Sequence, residues 1–413
     1  MVSAAAGSMA LVAAPLVRHH GPAALAAAAV MAGALQLVLA RLGIHRLLAR
    51  LPRSVAIGFV NGLAILIFLA QLRHVVSPAV LALVVGGAAL TTAARLRGGR
   101  VPPSLISTAA ILVVAIVLGA GVPTVGDAGA LPAGLPGFAV PDLPLTWAML
   151  GTLLPYAASL AVVGLVESLL TADLIDRLTD TPTSRRREAT GQGLANIATG
   201  FFGGQPGCAM IGQSLLNVET GGRGRLSTLA AGAWLLLLVV ALHPLMAILP
   251  MAALVATMVV VAFTTFDWRS ISVTRLRHWP RRESATMAIT AAVVVATSNL
   301  AIGVLAGAAV AAALLGGRIT RRVTVTRAAE PDLRHVHGSL FFGSTGQLVD
   351  LFENARGEPL LRIDLTGAEL LDTTASLTLA ELITRHRGLG HDVEITGLSP
   401  ASEALHARVA AAA

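Results

Sequence analysis

VESLLTADLIDRLTDTPTSRRREATGQGLANIATGFFGGQPGCAMIGQSLLNVETGGRGRLS, residues 166–227, decides how the rest of the chain is read. Glu167 is a carboxylate set within an apolar helical run long enough to cross a bilayer. A charge at that depth is costly, so by default it marks an ion or substrate path. A basic loop follows at Arg185-Arg186-Arg187, then a short helix ending in Phe201-Phe202-Gly203-Gly204. A second short apolar stretch starts after Pro206-Gly207. A helix that begins at such a Gly/Pro break points unsatisfied N–H groups and a positive dipole end at its surroundings, which suits an anion.

Composition agrees with a membrane setting. Of 413 residues, 55% are hydrophobic and only 13% charged, with a mean hydropathy of +0.76. A water-soluble surface needs more charge than that. The net charge is +8 and every basic residue besides His is Arg. In a polytopic membrane protein such an excess belongs to cytoplasmic loops. Aromatic residues make up 4%, too few for the stacking platforms of a nucleic-acid binder. One cysteine, Cys208, excludes an intrachain disulfide.

Roughly twelve candidate spans can be marked, beginning near 2–18 and 22–42 and ending near 283–298 and 299–317. Arg placement tests the layout. The loops after every second span hold Arg41/Arg46/Arg50/Arg53, Arg95/Arg97/Arg100, Arg177/Arg185, Arg223/Arg225, Arg269/Arg275/Arg277 and Arg318/Arg321/Arg322. The alternate loops are nearly free of Arg, which places both termini in the cytoplasm by the positive-inside rule. The spans near 2–18 and 206–219 are short and rich in Gly, Ser and Pro. Short broken segments in separate halves point to the binding site of an inverted-repeat transporter.

After Arg327 the pattern changes. HVHGSLFFG, EPLLRIDLTG and HDVEITGL read as strands, alternating with helical STGQLVDLFENAR, TTASLTLAELITRHRG and SPASEALHARVAAA. A small α/β domain with largely parallel pairing is expected. The division is a membrane domain over 1–318, a linker over 319–332 and the α/β domain over 333–413.

Several stretches carry a resemblance to a known family. They are Gln192-Gly193-Leu194-Ala195-Asn196, Phe202-Gly203-Gly204 and Gly221-Gly222-Arg223, with Leu51-Pro52-Arg53-Ser54 through Asn61-Gly62 and Gly207-Cys208-Ala209-Met210. The chain resembles the sulfate permease (SulP) family of anion transporters, whose C-terminal domain is of the STAS type. The resemblance implies an α-helical polytopic membrane protein with a seven-plus-seven inverted-repeat transporter fold, divided into a core domain and a gate domain. On this alignment the chain opens at the family's third helix, so about 12 of 14 spans are expected. The family's third and tenth helices are half-spans whose N-termini meet at the substrate. Here those segments begin at Ser3–Met9 and Pro206–Met210.

Substrate contact is therefore expected from Ser3, Gly7, Ser8, Gly207, Cys208, Ala209 and Met210, chiefly through backbone N–H groups and the Ser hydroxyls. The competing reading is that small residues simply let helices pack closely. Many members place an Arg where Gln213 stands, which leaves anion binding here to the helix ends. Glu167 is expected to couple H⁺ to anion movement, and the competing reading pairs it permanently with an Arg. By resemblance, Asp at this position goes with Na⁺ coupling and Glu with H⁺. Thr171, one turn on, either lines the cavity or bonds back to its own helix. Gln192 and Asn196 share a helix face and suit interhelical hydrogen bonding. Cys208 reads as a packing residue, and the Arg185–Arg187 run as a solvated topology anchor.

Stand-alone STAS proteins carry a phosphorylated hydroxyl at the turn that here reads Asp372-Thr373-Thr374, which by resemblance falls on Thr373. Plain N-capping by Asp372 or Thr373 is the simpler reading. His spacing suggests no metal site, and no cofactor or nucleotide motif is present. The expected function is secondary active transport of a small anion of the sulfate, bicarbonate or dicarboxylate class, H⁺-coupled, in a bacterial plasma membrane, with homodimers implied by the resemblance. The alternative is a transport-dead membrane protein whose STAS domain regulates or scaffolds.

Overall fold

The computed structural model describes residues 1–43, 51–99, 101–117, 121–129, 134–142, 146–181, 183–316, 323–328, 330, 332–355, 360–388 and 390–410. The chain separates into two compact units. One comprises Met1–Ala49, Gly62–Phe266 and Ser298–Ala301, and the other Arg50–Asn61, Asp267–Thr297 and Ile302–Ala413.

The first unit opens with a two-residue strand, β1 (Ser3–Ala4), and a long helix, α1 (Gly7–Arg41). Gly21 interrupts α1 with φ 78° and ψ 176°, directly before Pro22. Proline has no N–H to donate and glycine tolerates positive φ, so the pair divides one 35-residue helix into the short and long spans read from sequence. There follow α2 (Arg53–Leu72, whose N-terminal half belongs to the other unit), α3 (Pro78–Arg97), α4 (Pro103–Val117), α5 (Trp147–Thr179) and α6 (Arg185–Phe201). After these come a second two-residue strand, β2 (Cys208–Ala209), and α7 (Ile211–Glu219), α8 (Arg225–Ala241), α9 (His243–Ala247) and α10 (Met251–Thr265).

Two packed clusters make up this unit. In one, α1 lies against α5 and α6. A Cβ on Gly33 would stand 2.5 Å from the Gly193 carbonyl oxygen, and one on Gly193 would stand 2.8 Å from that of Gly33. Gly200 approaches the Ala26 carbonyl equally closely, at 2.7 Å from its hypothetical Cβ. Gly193 and Gly200 are two turns apart on one face of α6, so small residues form a continuous seam for α1. The other cluster joins Val80 and Val84 of α3, Ile111 of α4 and Ala252, Ala253, Val255 and Ala256 of α10. α8 buries none of its residues and exposes Trp234, Leu235 and Leu237, as a lipid-facing helix does.

Among the described residues, four helices are long and apolar enough to cross a bilayer: Gly7–Arg41, Arg53–Leu72, Pro78–Arg97 and Trp147–Asp176. Pro103–Val117, Arg225–Ala241, Met251–Thr265 and Leu300–Leu315 are apolar but shorter. The stretch 206–219, read from sequence as one span, holds β2 and the nine-residue α7 instead of a single helix.

In the second unit, α11 (Val273–His278), α12 (Arg281–Thr297) and most of α13 (Leu300–Gly316) precede a sheet of β3 (Thr324–Arg327), β4 (Leu333–Leu340), β5 (Leu360–Leu370) and β6 (Asp392–Thr396). Strand order is β3-β4-β5-β6, antiparallel at the first pair and parallel at the other two. The helices α14 (Thr345–Asn354), α15 (Thr373–Gly388) and α16 (Pro400–Ala410) complete the expected alternation. Leu361, Ile363 and Leu365, every second residue of β5, are fully buried with Val336, Leu340, Leu348 and Leu379. The edge strand β3 falls inside 319–332, the stretch read as linker. Its four residues are all exposed, so no apolar alternation announced it. In the same unit a Cβ on Gly58 would meet the Met287 carbonyl at 2.5 Å, and ones on Gly303 and Gly307 would meet the Val294 and Thr290 side chains, which sets α2 and α13 tightly on α12.

Gly193→Leu is expected to push α6 off α1 at a cost of roughly 1–3 kcal/mol, as overpacking does. Thermal unfolding in detergent checks this. Gly191→Leu, on the same helix with open space around its Cβ, should leave the melting temperature unchanged or slightly raised.

Candidate functional site

The chain crosses itself where β1 meets β2. Ser3 pairs with Ala209 and Ala4 with Cys208, antiparallel. Met210 N–H extends the ladder by donating to Val2 O at 3.1 Å. α1 begins three residues beyond β1 and α7 two residues beyond β2, so antiparallel pairing turns the two helix N-termini toward the crossing from opposite sides. Neither end has a side-chain cap. Among the described residues, the N–H groups of Gly7, Ser8 and Met9 and of Ile211, Gly212 and Gln213 find no backbone acceptor; the first bonds are those of Ala10 and Ser214. Unsatisfied N–H groups and two converging positive dipole ends make a place for negative charge.

α5 supplies the wall behind the crossing. Ser168 Oγ accepts the Ala209 N–H at 3.0 Å. Thr171 Oγ lies 3.0 Å from Ala209 O and 2.8 Å from its own Glu167 O. Thr171 thus bonds back to its own helix and, with its hydroxyl fully buried, holds β2 to α5. Glu167 Oε2 accepts from Ser8 Oγ at 2.5 Å. Glu167 therefore touches the first turn of α1, while Ser168 and Thr171 of the same helix hold the strand that leads into α7. Among the described residues no Arg or His lies in ion-pair contact with it, so the permanently paired reading finds no support. Cys208 is fully buried, as a packing residue would be.

α6 clamps the crossing from the other side. Asn196 Oδ1 accepts the Gly207 N–H at 2.9 Å while its Nδ2 reaches Gly207 O at 3.2 Å and Gln36 Oε1 at 3.0 Å. Gln192 Nε2 donates to the same carbonyl at 2.6 Å, and its Oε1 accepts from Ser3 Oγ at 2.7 Å. Gly207 is required here, because a Cβ would stand 2.6 Å from Ala4 O. Of the expected contact residues, Ser3 is exposed, Gly7, Gly207 and Met210 are half-buried, and Ser8, Cys208 and Ala209 are buried. Gln213 is exposed on α7.

Some of the machinery carried no obvious sequence signal. Gln36, fully buried, bonds to Asn196 and to Ala161 O. Its lone amide in an otherwise apolar run was the available clue. Ser214 Oγ accepts the Val2 N–H at 3.0 Å, and Gln205 reaches Ala6 O at 3.3 Å. Arg185 is not simply a solvated anchor: it pairs with Asp176 at 2.9 Å and with Asp173, pinning the α5–α6 turn.

The sulfate permease family model matches residues 74–290. YbaR of Bacillus subtilis (strain 168), a provisionally assigned sulfate transporter, is 41% identical over 414 aligned positions, covering 99% of this chain and 86% of that protein. The chain belongs to the sulfate permease family. Its fold matches the transmembrane domain of a cyanobacterial bicarbonate transporter, BicA, with a TM-score of 0.65 at 24% identity, over 74% of this chain and 83% of that one. It also matches SLC26A9 with a TM-score of 0.64 at 14% identity, over 100% of this chain and 78% of that one. The helical transporter fold expected from sequence is thus present, with a small α/β region at its C-terminal end. These relatives are transporters by name, not enzymes.

In the α/β region of this sulfate permease family member, Asp372 caps α15. It accepts N–H bonds from Phe342 at 2.7 Å and Ala375 at 2.8 Å. Burial pushes its carboxyl up to about 6, against the pull of N–H bonds from Ala375, Phe342 and Thr374. Thr373 is fully buried. Its N–H donates to Glu283 Oε1 of α12 at 2.7 Å, and its hydroxyl donates to the other oxygen. Any modification of that hydroxyl must first break this contact.

Asn196→Ala removes the side-chain amide that satisfies both polar groups of Gly207. A loss of roughly 1–3 kcal/mol is expected, with β2 loosened. The single thiol reports it: maleimide should label Cys208 slowly in the parent and at least about tenfold faster in Asn196→Ala, the factor that ~1.4 kcal/mol of easier opening gives.

Proposed function

We propose that the crossing of β1 and β2 is the anion site of an H⁺-coupled transporter, and that Glu167 is its coupling group. One observation carries the reading: Glu167 accepts from Ser8 in the first turn of α1, on the helix whose Ser168 and Thr171 hold β2, with no cation partner for the carboxylate among the described residues. An anion held by the N–H groups of Gly7, Ser8 and Met9 and of Ile211, Gly212 and Gln213 would sit next to this carboxylate. Two unit negative charges ~6 Å apart repel by roughly 3 kcal/mol at an effective dielectric of ~20. Protonating Glu167 removes that repulsion, so anion and proton bind together, and linkage makes the effect reciprocal.

The substrate is a small oxyanion. The names of the relatives, sulfate for YbaR and bicarbonate for BicA, and a site built from backbone N–H and hydroxyl donors support that class. The cluster of α1, α5, α6 and α7 acts as the core domain, and the cluster of α3, α4 and α10 belongs to the gate, by analogy with the inverted-repeat fold. We read the C-terminal α/β region as a STAS domain, on its strand order and its Asp372-capped helix. Arg alternation supports a cytoplasmic position for it and for the N-terminus, in a bacterial plasma membrane. A homodimer is expected on the same family grounds.

Uptake into proteoliposomes tests the function. Radiolabelled sulfate and bicarbonate should accumulate faster under an inward H⁺ gradient than without one. Glu167→Gln should fold normally and lose gradient-driven accumulation by at least ~100-fold, the factor that roughly 3 kcal/mol corresponds to. Full gradient-driven uptake by Glu167→Gln removes the coupling role. Drive by a Na⁺ gradient instead reassigns the coupling ion, and no uptake of any anion under any gradient favours the regulatory alternative.

A further inference from the structure

The segment from Asp267 to Trp279 follows the apolar helix α10 and precedes α12. It consists of a short 3-10 turn and α11. Trp268 is 52% exposed, Ile271 49% and Val273 65%, and Arg269 and Arg277 are exposed among them. Apolar and basic side chains presented side by side, in a segment that follows an apolar helix in the chain, suit the bilayer interface.

A cavity of about 300 Å³ opens within the second unit, lined by Arg53, Asp267, Arg269, Arg275, Trp279 and Leu377 among others. Three guanidinium groups face one carboxylate. Arg53 is engaged by Glu381 at 3.3 Å. Arg275 is fixed in place: its guanidinium carbon lies 4.5 Å over the Trp279 ring and its Nη1 reaches Asp267 at 3.3 Å. Its Nε is buried with no hydrogen-bond partner. Arg269 makes no ion pair among the described residues, although its backbone N–H is held by Asp267 at 3.1 Å. The cavity therefore combines surplus positive charge, a rigidly held Arg and a buried donor that lacks an acceptor. Guanidinium forks match phosphate oxygens in geometry and charge.

We propose that this cavity seats the phosphate of an anionic phospholipid headgroup, with Trp268, Ile271 and Val273 in the interface beside it. The exposed Ile271 and Val273 decide for a lipid over a soluble phosphate, because a bilayer covers them and a soluble ligand does not. Basic pockets beside membrane helices on the cytoplasmic side hold such headgroups for the same reason. None of its lining residues belongs to β1 or β2, and it does not depend on transport.

The test is native mass spectrometry of the full chain in detergent, titrated with phosphatidylglycerol, phosphatidylcholine or inorganic phosphate. The parent should retain phosphatidylglycerol in preference to phosphatidylcholine, and millimolar inorganic phosphate should displace it poorly. Arg269→Gln should weaken phosphatidylglycerol binding at least about fivefold, as loss of one interfacial Arg does. Arg223→Gln, in another basic loop, should leave it unchanged and so separates the pocket from net charge. Arg269 is exposed, so its variant keeps the fold. Arg275→Gln should show the larger loss, and a lowered melting temperature there reports the stacking on Trp279. Equal phosphatidylglycerol binding by parent and Arg269→Gln overturns the proposal. So does equal retention of the two lipids, and so does ready displacement by inorganic phosphate, which would make this a site for a soluble anion.

Discussion

Everything around the candidate site depends on satisfying the backbone of Gly207 and its neighbours. Two helices start inside a chain that spans a membrane, and each leaves N–H groups and extended backbone with no helix to absorb them. In a low-dielectric interior each unmet group costs several kcal/mol. The amide of Asn196 acts here as a substitute peptide, pairing with Gly207 N–H and C=O together. Gln192, Ser168, Thr171 and Ser214 take up most of what remains along Val2, Gly207 and Ala209. The glycine seam between α1 and α6 serves the same end, since Asn196 reaches Gln36 only because those helices nearly touch.

With the backbone of the strands satisfied, the first turns of α1 and α7 keep their donors available. No Arg contributes charge to the crossing among the described residues. Glu167 is an ionisable group placed beside it. A site built that way gains little affinity from fixed charge, and its occupancy is set by the state of one carboxyl. Ser8 donates to the carboxylate of Glu167, and an anion arriving at the crossing would repel its ionised form. The balance of those two effects is the physical content of coupling in this reading.

The sequence was most legible where a single residue broke a strong pattern. A carboxylate in an apolar helix marked Glu167, and the Pro206-Gly207 break marked the start of α7. Alternation in LLRIDLTG marked the buried face of β5. Less legible was which polar side chain meets which backbone group, because that is decided by helix packing between residues 160 positions apart, as for Gln36 and Asn196. Arg185 looked like a loop charge until α5 brought Asp173 and Asp176 beside it. β3 escaped notice because all its residues are exposed and its partner strand alone carries the apolar pattern. Thr373 showed a helix start in the sequence, but only the fold could show that Glu283 from α12 holds both its N–H and its hydroxyl.

The most direct test of the central claim is a count of protons taken up as an anion binds. Purified protein in weakly buffered detergent solution, with a pH indicator, is titrated with sulfate or bicarbonate near neutral pH. The account predicts close to one proton taken up per anion bound, an affinity that rises as pH falls, and neither effect in Glu167→Gln although the anion still binds. Anion binding without proton uptake, or an unchanged proton count in Glu167→Gln, would contradict it.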